Sequence, residues 1–121
     1  MGATAARTVL VVDDDASLRM LCRVNLELEG YRVLEASTLD SAQELLLAGG
    51  VDVVLLDIHV GHGDGFTLVQ EIRDRSPGAR IVLFTGSAEV DAVRRAAVDD
   101  VIPKPFSLEQ LSGAVGRLSA A

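Results

Sequence analysis

Aromatic residues are scarce in this chain: its 121 residues include one tyrosine, three phenylalanines and no tryptophan. Single-stranded nucleic acids are held largely by stacking on aromatic side chains, and the sequence offers no such platform. Acidic residues outnumber basic ones by 18 to 11, and the formal charge of −7 repels a phosphate backbone. The sequence therefore argues against direct binding of DNA or RNA by this segment.

Cysteine and long apolar runs are equally rare. Cys22 is the one cysteine, so no internal disulfide can form, and we expect its thiol on the apolar face of a helix. No apolar run approaches the roughly 18 residues of a membrane span, and residues 1–8 lack the apolar segment of a secretion signal. These absences predict a cytoplasmic protein without membrane association, with residues 1–7 as a flexible amino end.

Aliphatic residues are abundant, and hydrophobic residues make up 49% of the chain, enough for the core of one domain over residues 1–121. Short β-type runs alternate with helical patterns five times, at residues 9–12, 32–36, 51–56, 80–85 and 100–102. Such alternation predicts an α/β fold, a parallel sheet covered by helices on both faces. Residues 9–12 and 53–56 are apolar at consecutive positions, which predicts two central strands.

The apolar spacing predicts which helical positions are buried. For the first helix, over residues 16–29, these are Leu18, Leu21, Cys22 and Leu28. For the second they are Ala42, Leu45 and Leu46, after a cap formed by Ser37 with Asp40. For the third they are Phe66, Leu68, Val69 and Ile72, and for the fourth Val90, Val93, Ala96 and Ala97. For the fifth, capped by Ser107 with Gln110, they are Leu108, Leu111, Val115 and Leu118.

Polar side chains follow four of the five predicted strands. They are Asp13, Asp14 and Asp15 after the first strand, Asp57 after the third, Thr85 after the fourth and Lys104 after the fifth. Ligands of a doubly wound sheet bind beyond the carboxyl ends of its strands, so these side chains converge on the expected binding edge. The combination carries more weight than any one residue.

Clustered carboxylates repel one another unless a cation lies among them, and hard oxygen ligands suit Mg²⁺. We therefore predict a magnesium site with Asp14 and Asp57 as ligands. A carboxylate oxygen beside such a cation can attack phosphorus, while Lys104 and Thr85 supply charge and a hydrogen bond to the transferred oxygens. The predicted chemistry is phosphoryl transfer to an aspartate.

Simpler interpretations exist for the same residues. Acidic runs such as residues 13–15 are often solvated surface, and Asp57 alone fits a helix cap. His59 and His62 lie three apart in a glycine-rich loop, but without a third soft ligand they are more simply exposed loop residues.

Five stretches carry a resemblance to the receiver domain of two-component response regulators, over essentially the whole chain. They are residues 9–14 (VLVVDD), 52–57 (DVVLLD), 63–65 (GDG), 84–86 (FTG) and 104–106 (KPF). The resemblance implies a flavodoxin-like doubly wound fold with five parallel strands in the order 2-1-3-4-5. It also implies a cis peptide bond between Lys104 and Pro105.

The resemblance assigns roles to the site residues. Asp57 is implied as the phosphoacceptor and Thr85 as the switch hydroxyl. The Mg²⁺ ligands implied are Asp14, Asp57, the backbone carbonyl of His59 and, through water, Asp13. The implied donor is a histidine kinase or a histidine phosphotransfer protein. The implied output is an effector or output domain, or a homodimer formed on activation, bound by the face of the fourth helix, fifth strand and fifth helix.

Some positions depart from the family pattern. Val60 and Gly61 stand where many members have Met-Pro, which predicts a more mobile loop over residues 59–65. Val101 stands where members usually have an aromatic ring coupled to the switch hydroxyl. We therefore expect switching to use residues 85–89 and the fourth helix instead.

Two alternatives stay open. A degenerate receiver that acts as a binding module without phosphorylation is favoured by Val101 and opposed by the intact acidic residues, Thr85 and Lys104. An aspartyl-phosphate phosphatase would need a carboxylate two residues after Asp57, where this chain has His59. A phosphoacceptor signalling domain, not an enzyme acting on a separate substrate, is the preferred interpretation.

Overall fold

The computed structural model describes residues 6–86 and 91–119 of the chain. Its strands are β1 (Thr8–Val12), β2 (Arg32–Ala36), β3 (Val53–Asp57), β4 (His59–Val60), β5 (Gly63–Asp64), β6 (Arg80–Thr85) and β7 (Asp100–Pro103). Its helices are α1 (Ala16–Leu28), α2 (Leu39–Ala48), α3 (Thr67–Arg75), α4 (Ala92–Ala97) and α5 (Leu108–Ser119). No helix in these ranges is long and apolar enough to cross a membrane.

Five strands form one parallel sheet in the order β2-β1-β3-β6-β7. The short strands β4 and β5 form a separate antiparallel hairpin directly after β3. Because β6 and β7 are therefore the fourth and fifth strands of the sheet, the predicted order is confirmed. β1 and β3 are central and buried along their whole length, as their unbroken apolar runs predicted.

The core has two halves, one on each face of the sheet. Side chains alternate along a strand, so Leu10 and Val54 face one side while Val9 and Val53 face the other. Helices α2 and α3 cover the first side, and α1 and α5 cover the second. Cys22 is buried on the second side, as expected, and burial raises the pKa of its thiol to about 12.

Several helix predictions need correction. In α1, Leu21 and Leu28 are 48% and 82% exposed, because the face against the sheet contains Cys22 and Leu26, four residues apart. The cap of α2 is Thr38 with Ser41, one residue later than predicted.

Two further corrections concern α4 and α5. In α4, Val93 is 79% exposed and Ala96 is also exposed, because the six-residue helix buries none of its side chains; Val90 lies outside the described residues. The predicted cap of α5 by Ser107 and Gln110 is confirmed. Leu108 is 40% exposed, however, and Ala114 is buried in addition to the predicted stripe.

Residues 1–7 are predicted to form a flexible amino end, and residues 1–5 of these lie outside the described residues. The backbone carbonyl of Arg7 accepts a hydrogen bond of 2.9 Å from the amide of Arg32, so regular contact with the sheet begins there.

Asp99, directly before β7, hydrogen-bonds to both β6 and α3. Its Oδ2 accepts hydrogen bonds from the backbone amide of Ile81 at 2.7 Å and from Arg73 at 3.0 Å. Arg73 also donates to the backbone carbonyls of Ala97 and Ala79. Burial opposes the charge on Asp99, but these donors outweigh it and hold its pKa below the usual 3.8.

We predict that Asp99→Asn lowers the free energy of unfolding by about 1–2 kcal/mol near neutral pH, because hydrogen bonds to a charged acceptor are lost. Since the pKa of Asp99 is lower in the folded state, this stabilisation is present above the unfolded pKa and is lost as the pH falls through the folded pKa. Urea unfolding at neutral and strongly acidic pH should show the two proteins converging in acid. Equal stabilities at neutral pH would contradict this role, and Asp74→Asn on the exposed side of α3 serves as control.

Candidate functional site

The register of the sheet brings the predicted site residues to one edge. Val12 of β1 pairs with Leu56 of β3, so the next residues, Asp13 and Asp57, lie side by side. On the other side of β3, Thr85 of β6 pairs with Pro103 of β7, and Lys104 follows. The carboxyl ends of four strands therefore contribute to one site, as the sequence predicted.

Three carboxylates form the centre of this site. One oxygen each of Asp13, Asp14 and Asp57 lies within 4.8 Å of the others. Asp13 is fully buried and Asp57 is 7% exposed, whereas Asp14 is at the surface. Two of the three charges are thus shielded from water and one is accessible, which makes the cluster open on one side.

Lys104 is the cation of the site. Its Nζ lies 2.8 Å from Oδ2 of Asp13 and 3.1 Å from Oδ2 of Asp57. Its backbone amide donates to the carbonyl of Thr85 at 2.7 Å, and its peptide bond to Pro105 is cis, as the resemblance implied. Burial disfavours the charge, but the hydrogen bonds to both carboxylates outweigh burial and raise the pKa of Lys104, which keeps it an ammonium ion.

Of the three carboxylates, Asp13 is the one whose negative charge is disfavoured by its surroundings. Burial raises the pKa of Asp13, and the charge of Asp57 adds to that effect. Hydrogen bonds from Lys104 and from the backbone amide of Asp15 oppose the rise without cancelling it. The folded protein thus holds this carboxylate less favourably than water does, and an added positive charge would relieve it.

The hairpin after β3 contacts two of the carboxylates. The amide of His59 donates to Oδ1 of Asp57 at 3.1 Å, and the amide of Gly61 donates to Oδ2 of Asp14 at 3.0 Å. The side chain of His59 is exposed, and coordination by its carbonyl stays a prediction. Among the described residues, the acidic trio is the one cluster of three ligating side chains, so His59 and His62 have no third partner.

Gly65 closes the hairpin against the site. A Cβ atom at this position would lie 1.9 Å from the backbone oxygen of Asp57, closer than any real contact. Its amide donates to the carbonyl of Ile58 at 2.7 Å. Glycine is therefore required here because the backbone passes directly over the backbone of Asp57.

The structure adds features that the sequence analysis missed. Asp15 is not part of the trio; its side chain caps α1 by accepting from the amides of Ser17 and Leu18. Its place directly before the helix was the available signal. Arg19 donates to the backbone carbonyl of Asp13 at 2.7 Å, a contact that no sequence pattern announces.

The composition was a further signal for Lys104 as a site residue, because it is the only lysine among the 11 basic residues of the chain. The compact ammonium group of a lysine can donate to two carboxylates that lie close together. Thr85 is buried at the end of β6, as predicted. Residues 87–89 of the expected switch segment lie outside the described residues.

The residues fit a divalent cation. Three carboxylates against one ammonium group leave a formal charge of −2, and all the side-chain donors are the hard oxygens that Mg²⁺ prefers. Asp14 is exposed, so the cluster is reachable from solvent and leaves room for water ligands. The strain on Asp13 gives a physical reason for the site to accept positive charge.

A doubly wound parallel sheet with such a cluster at its carboxyl edge defines a flavodoxin-like α/β domain with its binding site at that edge. The family of response regulator receiver domains matches residues 9–116, and the chain belongs to that family. It is thus a receiver domain of two-component signalling, as the motifs indicated.

Individual relatives agree with this assignment. The chain is 37% identical over 109 residues to the transcriptional regulatory protein ResD of Bacillus subtilis (strain 168), covering 88% of this chain and 45% of ResD. It is 36% identical over 117 residues to the sensor kinase CckA of Brucella abortus (strain 2308), covering 93% of this chain and 12% of CckA. The chain thus spans less than half of these relatives.

One solved structure is similar to this chain in both fold and sequence. The response regulator TrrA of Thermotoga maritima, in complex with Mg²⁺ and BeF, is 30% identical and superposes with a TM-score of 0.84, covering 93% of this chain and 98% of TrrA.

We predict that millimolar Mg²⁺ raises the melting temperature at low ionic strength, because a cation bound to the folded state stabilises it. Asp13→Asn should melt higher than the wild type in EDTA, because the buried charge is gone, and should gain less from Mg²⁺. Differences on the order of 1 kcal/mol correspond to roughly 4–8 °C in a domain of this size. Calorimetry measures both effects.

The matched control is Glu44→Gln, which removes an exposed charge on α2 far from the cluster and should respond to Mg²⁺ like the wild type. A wild-type melting temperature that Mg²⁺ leaves unchanged, with no gain in Asp13→Asn, would show that the carboxylates form no shared site.

Proposed function

We propose that this receiver domain is phosphorylated on Asp57 in an Mg²⁺-dependent reaction, with a histidine kinase or a histidine phosphotransfer protein as donor. The observation that carries the proposal is the ammonium group of Lys104, bound to both Asp13 and Asp57 beside the acidic trio. A buried anion pair bridged by a lysine and open on one side suits the transfer of a negatively charged group.

The side chains around Asp57 prepare it as a nucleophile. The amide of His59 and the ammonium of Lys104 each hold one carboxylate oxygen and fix the plane of the group. Attack by one oxygen on phosphorus releases the histidine nitrogen of the donor and leaves an acyl phosphate. The ammonium of Lys104 and the hydroxyl of Thr85, at the carboxyl ends of β7 and β6, would supply charge and a hydrogen bond to the transferred oxygens.

Asp14, Asp57, the carbonyl of His59 and, through water, Asp13 would hold Mg²⁺. When bound, the ion would supply positive charge that offsets the charge of the incoming phosphoryl group. Gly61 contributes by orienting Asp14 through its amide. The chain itself therefore orients the acceptor carboxylate and the metal ligands.

A protein donor must dock next to Asp57. Beside Lys104 lies a cleft of about 420 Å³, lined by Asp15, Leu18, Leu21, Lys104, Pro105 and Phe106. Leu21 is 48% exposed and its neighbour Met20 57%, so apolar surface continues along α1. This surface suits the apolar side of a helical donor protein.

The output is proposed to use the face of α4, β7 and α5, which binds an effector, an output domain or a second copy of the chain. The match to the transcriptional regulatory protein ResD supports an output domain, because the matched segment covers only 45% of ResD. One domain over residues 1–121 and a cytoplasmic location belong to the same proposal.

Two other functions are less well supported. His59 lies two residues after Asp57, where an aspartyl-phosphate phosphatase needs a carboxylate for proton transfer. A binding module without phosphorylation would not need a buried, strained acid pair bridged by the only lysine of the chain.

We expect acetyl phosphate to add one phosphoryl group to the wild-type chain in the presence of Mg²⁺ and none in EDTA, as measured by intact mass. Asp57→Asn should form no adduct. Lys104→Ala should form it on the order of 100-fold more slowly, because a charge that stabilises the transition state is lost. The control Asp40→Asn alters an exposed acid on α2 and should react like the wild type. An equal adduct on Asp57→Asn would refute the assignment.

A further inference from the structure

Helix α4 makes few apolar contacts with the rest of the domain. None of its six residues is buried, and Val93 is 79% exposed. Only the half-buried Ala97, among its described side chains, packs against the core. A segment with so few buried contacts is a low-stability region whose position depends on its polar contacts.

Among the described residues, two polar contacts tie this helix to other parts of the fold: the carbonyl of Ala97 accepts from Arg73 of α3, and Arg94 reaches the segment that follows the hairpin tip. Nη2 of Arg94 lies 3.4 Å from Oδ2 of Asp64, and its guanidinium lies over the ring of Phe66, 5.1 Å from the centroid. Arginine suits both contacts because its planar group pairs with a carboxylate and stacks on an aromatic ring. We call this set of three residues, Arg94, Asp64 and Phe66, the Arg94 clasp.

The clasp is attached to the hairpin that contacts the acidic site. Asp64 pairs with His59 across the hairpin, and the amide of His59 donates to Asp57. At the hairpin tip, the amide of Gly61 donates to Asp14. The hairpin of β4 and β5 therefore contacts Asp14 at its tip. At its base it contacts Asp57 through His59 and α4 through Asp64.

We propose that this hairpin and the Arg94 clasp couple the acidic site to α4. A charge change at Asp57 or Asp14 alters the two amide contacts of the hairpin, the hairpin shifts Asp64, and the clasp passes that shift to α4. The coupling rests on the proposed function for its input, which is occupancy of the acidic site. It needs no aromatic ring at position 101, where this chain has valine.

The first test examines the clasp without any ligand. In Arg94→Gln, amide hydrogen exchange at Phe66 and Gly65 should accelerate roughly two- to five-fold, the change expected when a partly exposed ion pair is lost. The amide of Phe66 reports directly because it donates to Oδ1 of Asp64 at 2.9 Å. The control is Arg95→Gln, since Arg95 is exposed and forms no ion pair with a described residue. Unchanged exchange in Arg94→Gln would overturn the clasp.

The second test supplies the input with Mg²⁺ and beryllofluoride and follows backbone amide NMR shifts. In the wild type we expect shifts at residues 13, 14, 57 and 61 and also at residues 92–97. In Arg94→Gln and in Asp64→Asn the site shifts should persist while those of α4 fall several-fold. Arg95→Gln should respond like the wild type.

The outcomes separate the two proposals. If α4 shifts as much in Arg94→Gln as in the wild type, or does not shift in the wild type while the site responds, the coupling is overturned and the proposed function stands. If the acidic site itself does not respond, the proposed function is overturned and the coupling with it.

Discussion

The burial of like charges at the carboxyl edge of the sheet is the constraint on which the site depends. Asp13 and Asp57 are adjacent because β1 and β3 are paired in register, and both are largely removed from water. Burial raises the pKa of Asp13, and the nearby charge of Asp57 adds to that effect. Lys104 offsets part of this cost by donating to both carboxylates, and a divalent cation would offset the rest. The acidic cluster is thus incompletely neutralised, which favours the binding of a divalent cation.

The surrounding backbone holds this cluster in place. Arg19 donates to the carbonyl of Asp13, and the amides of His59 and Gly61 bind Asp57 and Asp14. Gly65 lets the hairpin return across the backbone of Asp57 with no room for a side chain. The same hairpin reaches α4 through Arg94, so a hairpin hydrogen-bonded to two carboxylates of the site contacts a helix that buries none of its side chains. Such a contrast in packing is what a conformational response requires, because a weakly anchored element moves at small cost.

The sequence predicted the structure best where polar residues directly follow an apolar strand. The apolar runs before Asp13 and Asp57 predicted central strands, and the polar residues after them predicted a shared site, because parallel strands end at one edge. The predicted buried face of α1 was partly wrong, because the helix has apolar residues on two faces. Cys22 and Leu26, four residues apart, pack against the sheet, whereas Leu21 and Leu28 are exposed. Prediction from sequence also missed Arg94 with Asp64, 30 residues apart in sequence, because no local pattern encodes a contact between two exposed side chains of different elements.

The most direct test of the central claim is chemical trapping of the phosphoryl group. After reaction with a small phosphodonor and Mg²⁺, borohydride reduces an acyl phosphate to an alcohol and spares free carboxylates and phosphate esters. Tandem mass spectrometry then locates the reduced residue. We expect reduction at residue 57 alone, and only when Mg²⁺ was present. Reduction at Asp13 or Asp14, or an adduct that survives borohydride untouched, would contradict it.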